Sequence, residues 1–369
     1  MKCLHISANK FPPIDKVNFT KNIWKELAIG FEEYHIIARS TRNRFEFFRE
    51  GNIILHLVPK LGEKERSFMF SSFFIFYLIP KYRITHILAQ SSLLGGVTAA
   101  LASRIFKVPM MVEIHGEQYF RYLNEKGIVS SLYSGLIKFS FRTAKKVRSL
   151  NHFMTAKLNS FGIFNVVEIP NRVNFSVFKS KKEQFQLSTP IRIISIGRFV
   201  KEKNYLRLIE YLHRSNLDFS LVLVGGGPLK SVYEGLLEEL GIKNKVELVD
   251  WVKQDDLHAM VTQSDIYIQY STSEGMPRTI IEAMAMQMPI ITTNVGSIPG
   301  VIENLSNGIL VDVDDFVALI NAISTLISDD ALRESLANQG LLDAKESYEW
   351  SSVFEKYRLE LVNLEYANS

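Results

Sequence analysis

The segment STSEGMPRTIIEAMAMQMPI, residues 271–290, holds the residues whose types and spacing best suit chemistry. Gly275 permits an unusual turn, and Pro277 fits the first turn of a helix. A helix start at this point exposes unpaired backbone N–H groups at the positive end of the helix dipole, a combination that binds phosphate. Glu282 lies about 7 Å along the axis from Pro277 at 1.5 Å per residue. That matches the reach from a diphosphate at the helix end to its nucleoside ribose. Glu282 is therefore placed to accept ribose hydroxyl protons, while Glu274, ahead of the helix, is placed to meet sugar hydroxyls. Glu282 sits within IIEAMAM, where a carboxylate without a partner is costly.

A second segment, SIGRFVKEKN at 195–204, runs from an apolar strand into Gly197 and Arg198 and reaches Lys203 before the next helix. Ligands of open α/β sheets bind at that carboxyl-terminal strand edge. Arg198, through its planar fork, and Lys203, as a point charge, can converge there on one diphosphate. In VGGGPLK, 224–230, Gly225, Gly226 and Gly227 either let the backbone approach a ligand or make a tight strand-to-helix turn. The loop is neither a Walker A sequence nor GxGxxG, which argues against a simple nucleotide triphosphatase or a dehydrogenase. In VEIHGEQ, His115 and Gly116 follow a buried strand. The imidazole of His115 can donate a hydrogen bond to a sugar hydroxyl or take a proton, and Glu117 is a weaker candidate.

These loops need a scaffold that ends strands side by side. Short β-rich runs alternate with helix-length segments, the pattern of parallel sheets covered by helices. Strands are expected at residues 3–7, 34–38, 53–58, 84–89, 110–114, 146–149 and 166–169. A second set follows at 191–196, 219–224, 246–249, 266–269, 290–293 and 309–311. The polar stretch from Val173 to Pro190 reads as a linker between the two sets. At the end of the chain, Trp350, Val353, Phe354, Tyr357, Leu361 and Leu364 form an apolar stripe on one helix, which must dock against a sheet.

A chain of 369 residues at 47% hydrophobic and 22% charged residues is long enough for two domains. Its one cysteine, Cys3, cannot close an internal disulfide, and no zinc-ligand spacing occurs, so packing in a reducing, cytoplasmic setting is expected. The apolar run from Phe68 to Ile79 is too short to span a bilayer and ends at Pro80. The net charge of +4 conceals an asymmetry of +15 in residues 1–190 against −11 in the remainder. A basic half suits an anionic membrane surface, a phosphorylated substrate or a nucleic acid, or is an ordinary solvated surface. No nucleic-acid recognition motif accompanies it.

The second half resembles the retaining glycosyltransferases of family four (glycosyl transferases group 1). The resemblance rests on Gly197, Arg198 and Lys203, on GGGP, on EGMPRTIIEAMA with glutamates eight positions apart, and on VGSIPGVIENLSNGILVDVDD, over roughly residues 165–330. It implies the GT-B fold: two facing Rossmann-like domains with parallel sheets, and a C-terminal helix that crosses back to the N-terminal domain. An acceptor domain at 1–172 plus 347–369 and a donor domain at 173–346 follow.

In such enzymes Arg198 and Lys203 neutralise the diphosphate leaving group, and Glu282 holds the ribose. Glu274 and the backbone of Gly275, Met276 and Pro277 orient the donor sugar, and His115 lies near it. The implied reaction is glycosyl transfer with retained configuration from a UDP, GDP or ADP sugar to a glycan or lipid-linked acceptor. It needs no essential metal or other cofactor and serves cell-surface polysaccharide synthesis at the inner face of the cytoplasmic membrane. Two departures stand out: NKFPPIDKVNFTKN replaces the usual paired glycines after the first strand, and Arg172 in PNRVN stands where a glycine is usual. A non-catalytic nucleotide-sugar binder and a GT-B epimerase are the competing readings.

Overall fold

The computed structural model describes residues 1–11, 19–41, 43–59, 72–93, 95–114, 118–124, 127–178 and 185–364. The chain divides into two compact units. One comprises Met1–Ile169 with Phe354–Ser369, the other Pro170–Val353. The sequence boundaries lay at 172 and 346. The second crossing falls later because the helix that begins at Asp330 runs on to Tyr348, and Val173 donates its N–H to the Tyr348 carbonyl at 2.8 Å.

The first unit is built on β1 (Lys2–Phe11), β2 (Glu33–Ser40), β3 (Glu46–Glu50), β4 (Ile53–Val58), β5 (His86–Ala89), β6 (Met110–Glu113), β7 (Lys146–Ser149) and β8 (Val166–Glu168). Their order across the sheet is β3-β4-β2-β1-β5-β6-β7-β8. All neighbours are parallel except the β3–β4 hairpin. The inner strands are largely buried, as expected where helices cover both faces; β2 is buried from Tyr34 to Ser40 even at His35 and Arg39. The helices are α1 (Phe19–Ala28), α2 (Ile75–Tyr82), α3 (Gly96–Phe106), α4 (Gln118–Asn124), α5 (Ile128–Thr143) and α6 (His152–Ser160). Strand β3 was not expected from sequence. Its EFFRE is largely exposed on a sheet edge, so it lacks the buried apolar run that marks the other strands.

The second unit carries β9 (Ile191–Ile196), β10 (Phe219–Val224), β11 (Val246–Val249), β12 (Ile266–Gln269), β13 (Ile290–Thr293) and β14 (Ile309–Val311), in the order β11-β10-β9-β12-β13-β14, all parallel. Around it lie α7 (Tyr205–Arg214), α8 (Lys230–Glu239), α9 (Gln254–Thr262), α10 (Arg278–Ala285), α11 (Phe316–Ser328) and α12 (Asp330–Tyr348). The core joins Ile193, Leu221, Leu223, Ile266, Ile268 and Ile291 from the sheet to Leu208, Leu212, Leu319 and Ile323 from α7 and α11. The strand order reverses direction between β9 and β12, which makes that gap the topological switch point of a doubly wound sheet.

The last helix, α13 (Trp350–Val362), returns to the first unit as the apolar stripe required. Phe354, Tyr357, Leu361 and Leu364 are buried. The Tyr357 hydroxyl donates to Glu113, itself held by Arg148 at 2.6 Å. Arg148 also donates Nε–H to the Ile169 carbonyl at 2.9 Å and lies 4.7 Å from the Tyr357 ring centroid. Lys146 pairs with Glu360 at 2.5 Å nearer the surface.

Breaking a buried pair strands its remaining charge, whereas breaking a partly solvated one does not. Arg148→Met is expected to lower the stability of the first unit by about 3–5 kcal/mol, and Lys146→Met by less than about 1 kcal/mol. Hydrogen exchange of β6 and β7 amides in dilute denaturant measures the difference; equal protection in the two variants would contradict it.

Candidate functional site

The switch point lies between β9 and β12, which pair through Ile266 with Ile193 and Tyr267 with Ile194. The two segments singled out by chemistry therefore emerge side by side from one sheet rim. After β9 the chain passes Gly197 and Arg198, then a single 3₁₀ turn at Lys201–Lys203 closed by Asn204 in the left-handed region. After β12 comes the turn that carries Glu274. The Thr272 N–H donates to the Glu202 carbonyl at 2.8 Å and ties the two loops together.

Their side chains meet as well. Lys203 Nζ lies 2.6 Å from Glu274 Oε1, with side-chain exposures of 16% and 11%. The same oxygen accepts from Gln269 Nε2 at 2.7 Å and Ser271 Oγ at 2.6 Å. A charge this removed from water needs such a set of donors. Strand β13 steadies the segment from behind. The Thr292 hydroxyl donates to the Gln269 carbonyl at 3.0 Å and that of Thr293 to the Ser271 carbonyl at 2.6 Å.

Glycines set how closely the loops approach. A Cβ on Gly197 would stand 2.9 Å from Lys203 Cε, so the bare backbone leaves the lysine its path to Glu274. Gly296, at φ +55°, packs against the Glu274 carbonyl so tightly that a Cβ would come within 2.0 Å of it. In the GGGP loop, Gly225 and Gly227 press on the 197–199 backbone, where added Cβ atoms would lie 1.9 Å from Gly197 O and 2.6 Å from Phe199 O. The close turn thus accounts for these two, while Gly226 lies beside the exposed ring of Trp251.

Arg198 is exposed, and its guanidinium has no hydrogen-bond or ion-pair partner among the described residues. Helix α10 begins at Arg278, with Pro277 as its N-cap residue and not in its first turn, and no side chain caps it. Met276 is buried, and its carbonyl accepts from Asn171 Nδ2 at 2.8 Å. Gly275, between Glu274 and Met276, is half-buried. Glu282 retains 20% side-chain exposure with Arg278 at 3.6 Å on the next turn. Burial raises its pKa above the usual 4.5, and Arg278 offsets only part of that. His115, Gly116 and Glu117 lie outside the described residues. Arg172 lies 5.6 Å from the Trp350 ring centroid. The sequence reading missed Gln269, Ser271 and Asn171.

Two Rossmann-like units, the second with its switch point between β9 and β12, have the architecture of the GT-B fold. Residues 177–342, most of the second unit, match the family model of glycosyl transferases group 1. The lipopolysaccharide core biosynthesis glycosyltransferase LpsE of Rhizobium meliloti is 29% identical over 161 residues, 43% of this chain and 46% of that protein. Among solved structures, sucrose-phosphate synthase from Thermosynechococcus elongatus superposes with a TM-score of 0.82 at 19% identity, covering 98% of each chain. Anabaena HepE in complex with UDP gives 0.76 at 16% identity, covering 99% of this chain and 100% of that one.

Glu282 carries a prediction with opposite signs for stability and binding. Its folded-state pKa is raised, so ionisation costs stability as pH climbs past about 4.5, and below that value nothing is lost. Glu282→Gln is expected to melt higher than the wild type at pH 7.5 and alike at pH 4. If the carboxylate holds a ribose, the same variant binds nucleoside diphosphate more weakly. A uniform loss of stability at both pH values would refute the first part.

Proposed function

We propose that this chain is a retaining glycosyltransferase. It would move a sugar from a nucleoside diphosphate sugar to a glycan or lipid-linked acceptor in cell-surface polysaccharide synthesis, without an essential metal. The observation that carries the reading is the rim at the switch point. The Lys203–Glu274 pair, the unpartnered Arg198 and the uncapped start of α10 meet where open α/β sheets bind ligands.

In this reading Arg198 and Lys203 take up the charge that develops on the diphosphate leaving group, the task a divalent cation would otherwise perform. The first amides of α10 and the backbone of Gly275, Met276 and Pro277 flank the donor. Glu274 orients the sugar hydroxyls and Glu282 the ribose. Gly197 gives Lys203 room, and Gly226 and Gly227 border the nucleotide. HepE structures in complex with UDP-glucose support a nucleotide-sugar donor on this fold, and the LpsE match supports a role in surface glycan assembly.

A peripheral contact with an anionic membrane also belongs to the proposal. No helix among the described residues is long and apolar enough to cross a membrane. In the first unit, α2, α3 and α5 pack side by side. Their outer surface exposes Tyr77, Leu101, Ile105, Ile128, Val129 and Leu132 together with Lys81, Arg104 and Lys107. Apolar side chains among cations are what an anionic lipid surface recognises.

A thermal-shift panel of UDP, GDP, ADP and their common sugar conjugates tests the donor site, since a ligand bound only to the folded state raises the melting temperature. Arg198→Ala is expected to weaken the responding diphosphate about 10- to 100-fold, as for a lost charge-assisted bond, and to leave the matching nucleoside nearly unchanged. Equal diphosphate binding by the variant would remove Arg198 from the site. Flotation with phosphatidylglycerol vesicles at low salt tests the membrane contact. Ile128→Glu combined with Leu132→Glu is expected to abolish it, and a wild type that ignores such vesicles would end that part of the proposal.

A further inference from the structure

Gln269 ends strand β12 wholly buried, its carboxamide lying between two sets of partners. On one side Nε2 donates to Glu274 Oε1 at 2.7 Å. On the other, Oε1 accepts from the Tyr267 hydroxyl at 2.9 Å and from the Thr279 hydroxyl, on α10, at 2.9 Å. Burial pushes the Tyr267 pKa well above its usual 10, so the phenol keeps its proton.

This arrangement fixes the amide's orientation. Turning the carboxamide over would set its oxygen against the Glu274 carboxylate, two acceptors at 2.7 Å with no proton between them. It also divides the work of the carboxylate. Lys203, Gln269 and Ser271 all donate to Oε1, and Oε2 accepts from none of the described residues.

We propose that Gln269 is a positioning residue: held by Tyr267 and Thr279, it commits one oxygen of Glu274 to the protein and presents the other to the hydroxyls of the donor sugar. The inference rests on the reading of Glu274 as the sugar-orienting carboxylate. It adds a chain of hydrogen-bonded side chains that links the start of α10, where the diphosphate would sit, to the group that reads the sugar. Gln269 touches no substrate itself; sugar selectivity reaches it through Glu274.

The test uses two substitutions and two readouts. Gln269→Glu keeps an acceptor for Tyr267 and Thr279 but puts a second carboxyl against Glu274. Two carboxyls that close cannot both ionise and must share a proton. The other titratable groups facing them are Lys203, Tyr205, Tyr267 and Glu282. Without any ligand, the melting temperature of this variant is expected to match the wild type at pH 5 and to fall below it as pH rises to 8. Adding Glu274→Gln closes the gap. A gap that does not change with pH, or that survives Glu274→Gln, overturns the proposed hold on Glu274.

The second readout is the pair of dissociation constants for a nucleoside diphosphate and its sugar conjugate, taken from the UDP, GDP and ADP panel. Gln269→Met is expected to hold the diphosphate within about twofold while weakening the conjugate about tenfold, the size of one lost bond to a charged group. Gln269→Glu restores conjugate binding at pH 5 and not at pH 8, which a merely structural role would not produce. Thr279→Val, a milder change, covers the case in which the methionine variant fails to fold; it is expected to shift the same ratio in the same direction.

Wild-type discrimination retained in all three variants overturns the proposal. A wild type that binds no member of the panel overturns the donor reading, and the sugar role of Gln269 with it. The ligand-free melting series then still separates that outcome from a failure of Gln269 to govern Glu274.

Discussion

The second unit is arranged around one demand: the carboxylate of Glu274 is nearly out of water and must be satisfied by fixed donors. Withdrawing an ion from solvent costs several kcal/mol after relaxation, and only good geometry with additional hydrogen bonds offsets it. The rim supplies three donors to a single oxygen from two crossovers and one strand end. That requires β9 and β12 to be neighbours, which the strand order provides. It requires Lys203 to pass a position without a side chain, which Gly197 provides, and the Glu274 backbone to lie against another, at Gly296. A methyl group at either position would push against backbone or lysine.

Most of the fold was legible because parallel strands buried on both faces are short apolar runs, and six of them in the second half stand where the sequence put them. The exceptions have physical causes. Strand β3 is held by its hairpin with β4 and not by burial, so its composition says little. The second unit runs past the expected boundary at 346 because the buried positions of α12 continue to Tyr348, whose carbonyl receives the Val173 N–H. The docking of α13 was foreseeable from its stripe. Its Tyr357–Glu113–Arg148 cluster was not, since it joins residues more than two hundred positions apart.

Gly197, Lys203 and Glu274, which the structure brings together, stood out in the sequence because turn chemistry and charge coincide there. The site was not legible where polar residues hide within strands. Gln269 and Tyr267 are two apart and share one face of β12, a face that reads as core until Thr279 from α10 is known to lie across from them. Asn171 reaches the Met276 carbonyl from 105 positions away, and no local pattern announces it. Arg172, conspicuous where a glycine is usual in the family resembled, is placed against the Trp350 ring, beside the point where the chain returns to the first unit.

The two glutamates eight positions apart are held in opposite ways, and the contrast bears on how the rim is built. Glu274 is held through one oxygen before any ligand arrives, its charge balanced by Lys203 and its position set by Gln269 and Ser271. Glu282 has one cation at 3.6 Å and a pKa raised by burial, so the folded protein bears a cost to keep it ionised at neutral pH. A prebuilt group fits a partner that must be oriented closely; a strained one fits a partner whose hydrogen bonds relieve the strain. In the proposed reading, the sugar needs close orientation for transfer and the ribose only anchoring, and the rim assigns its carboxylates in that order.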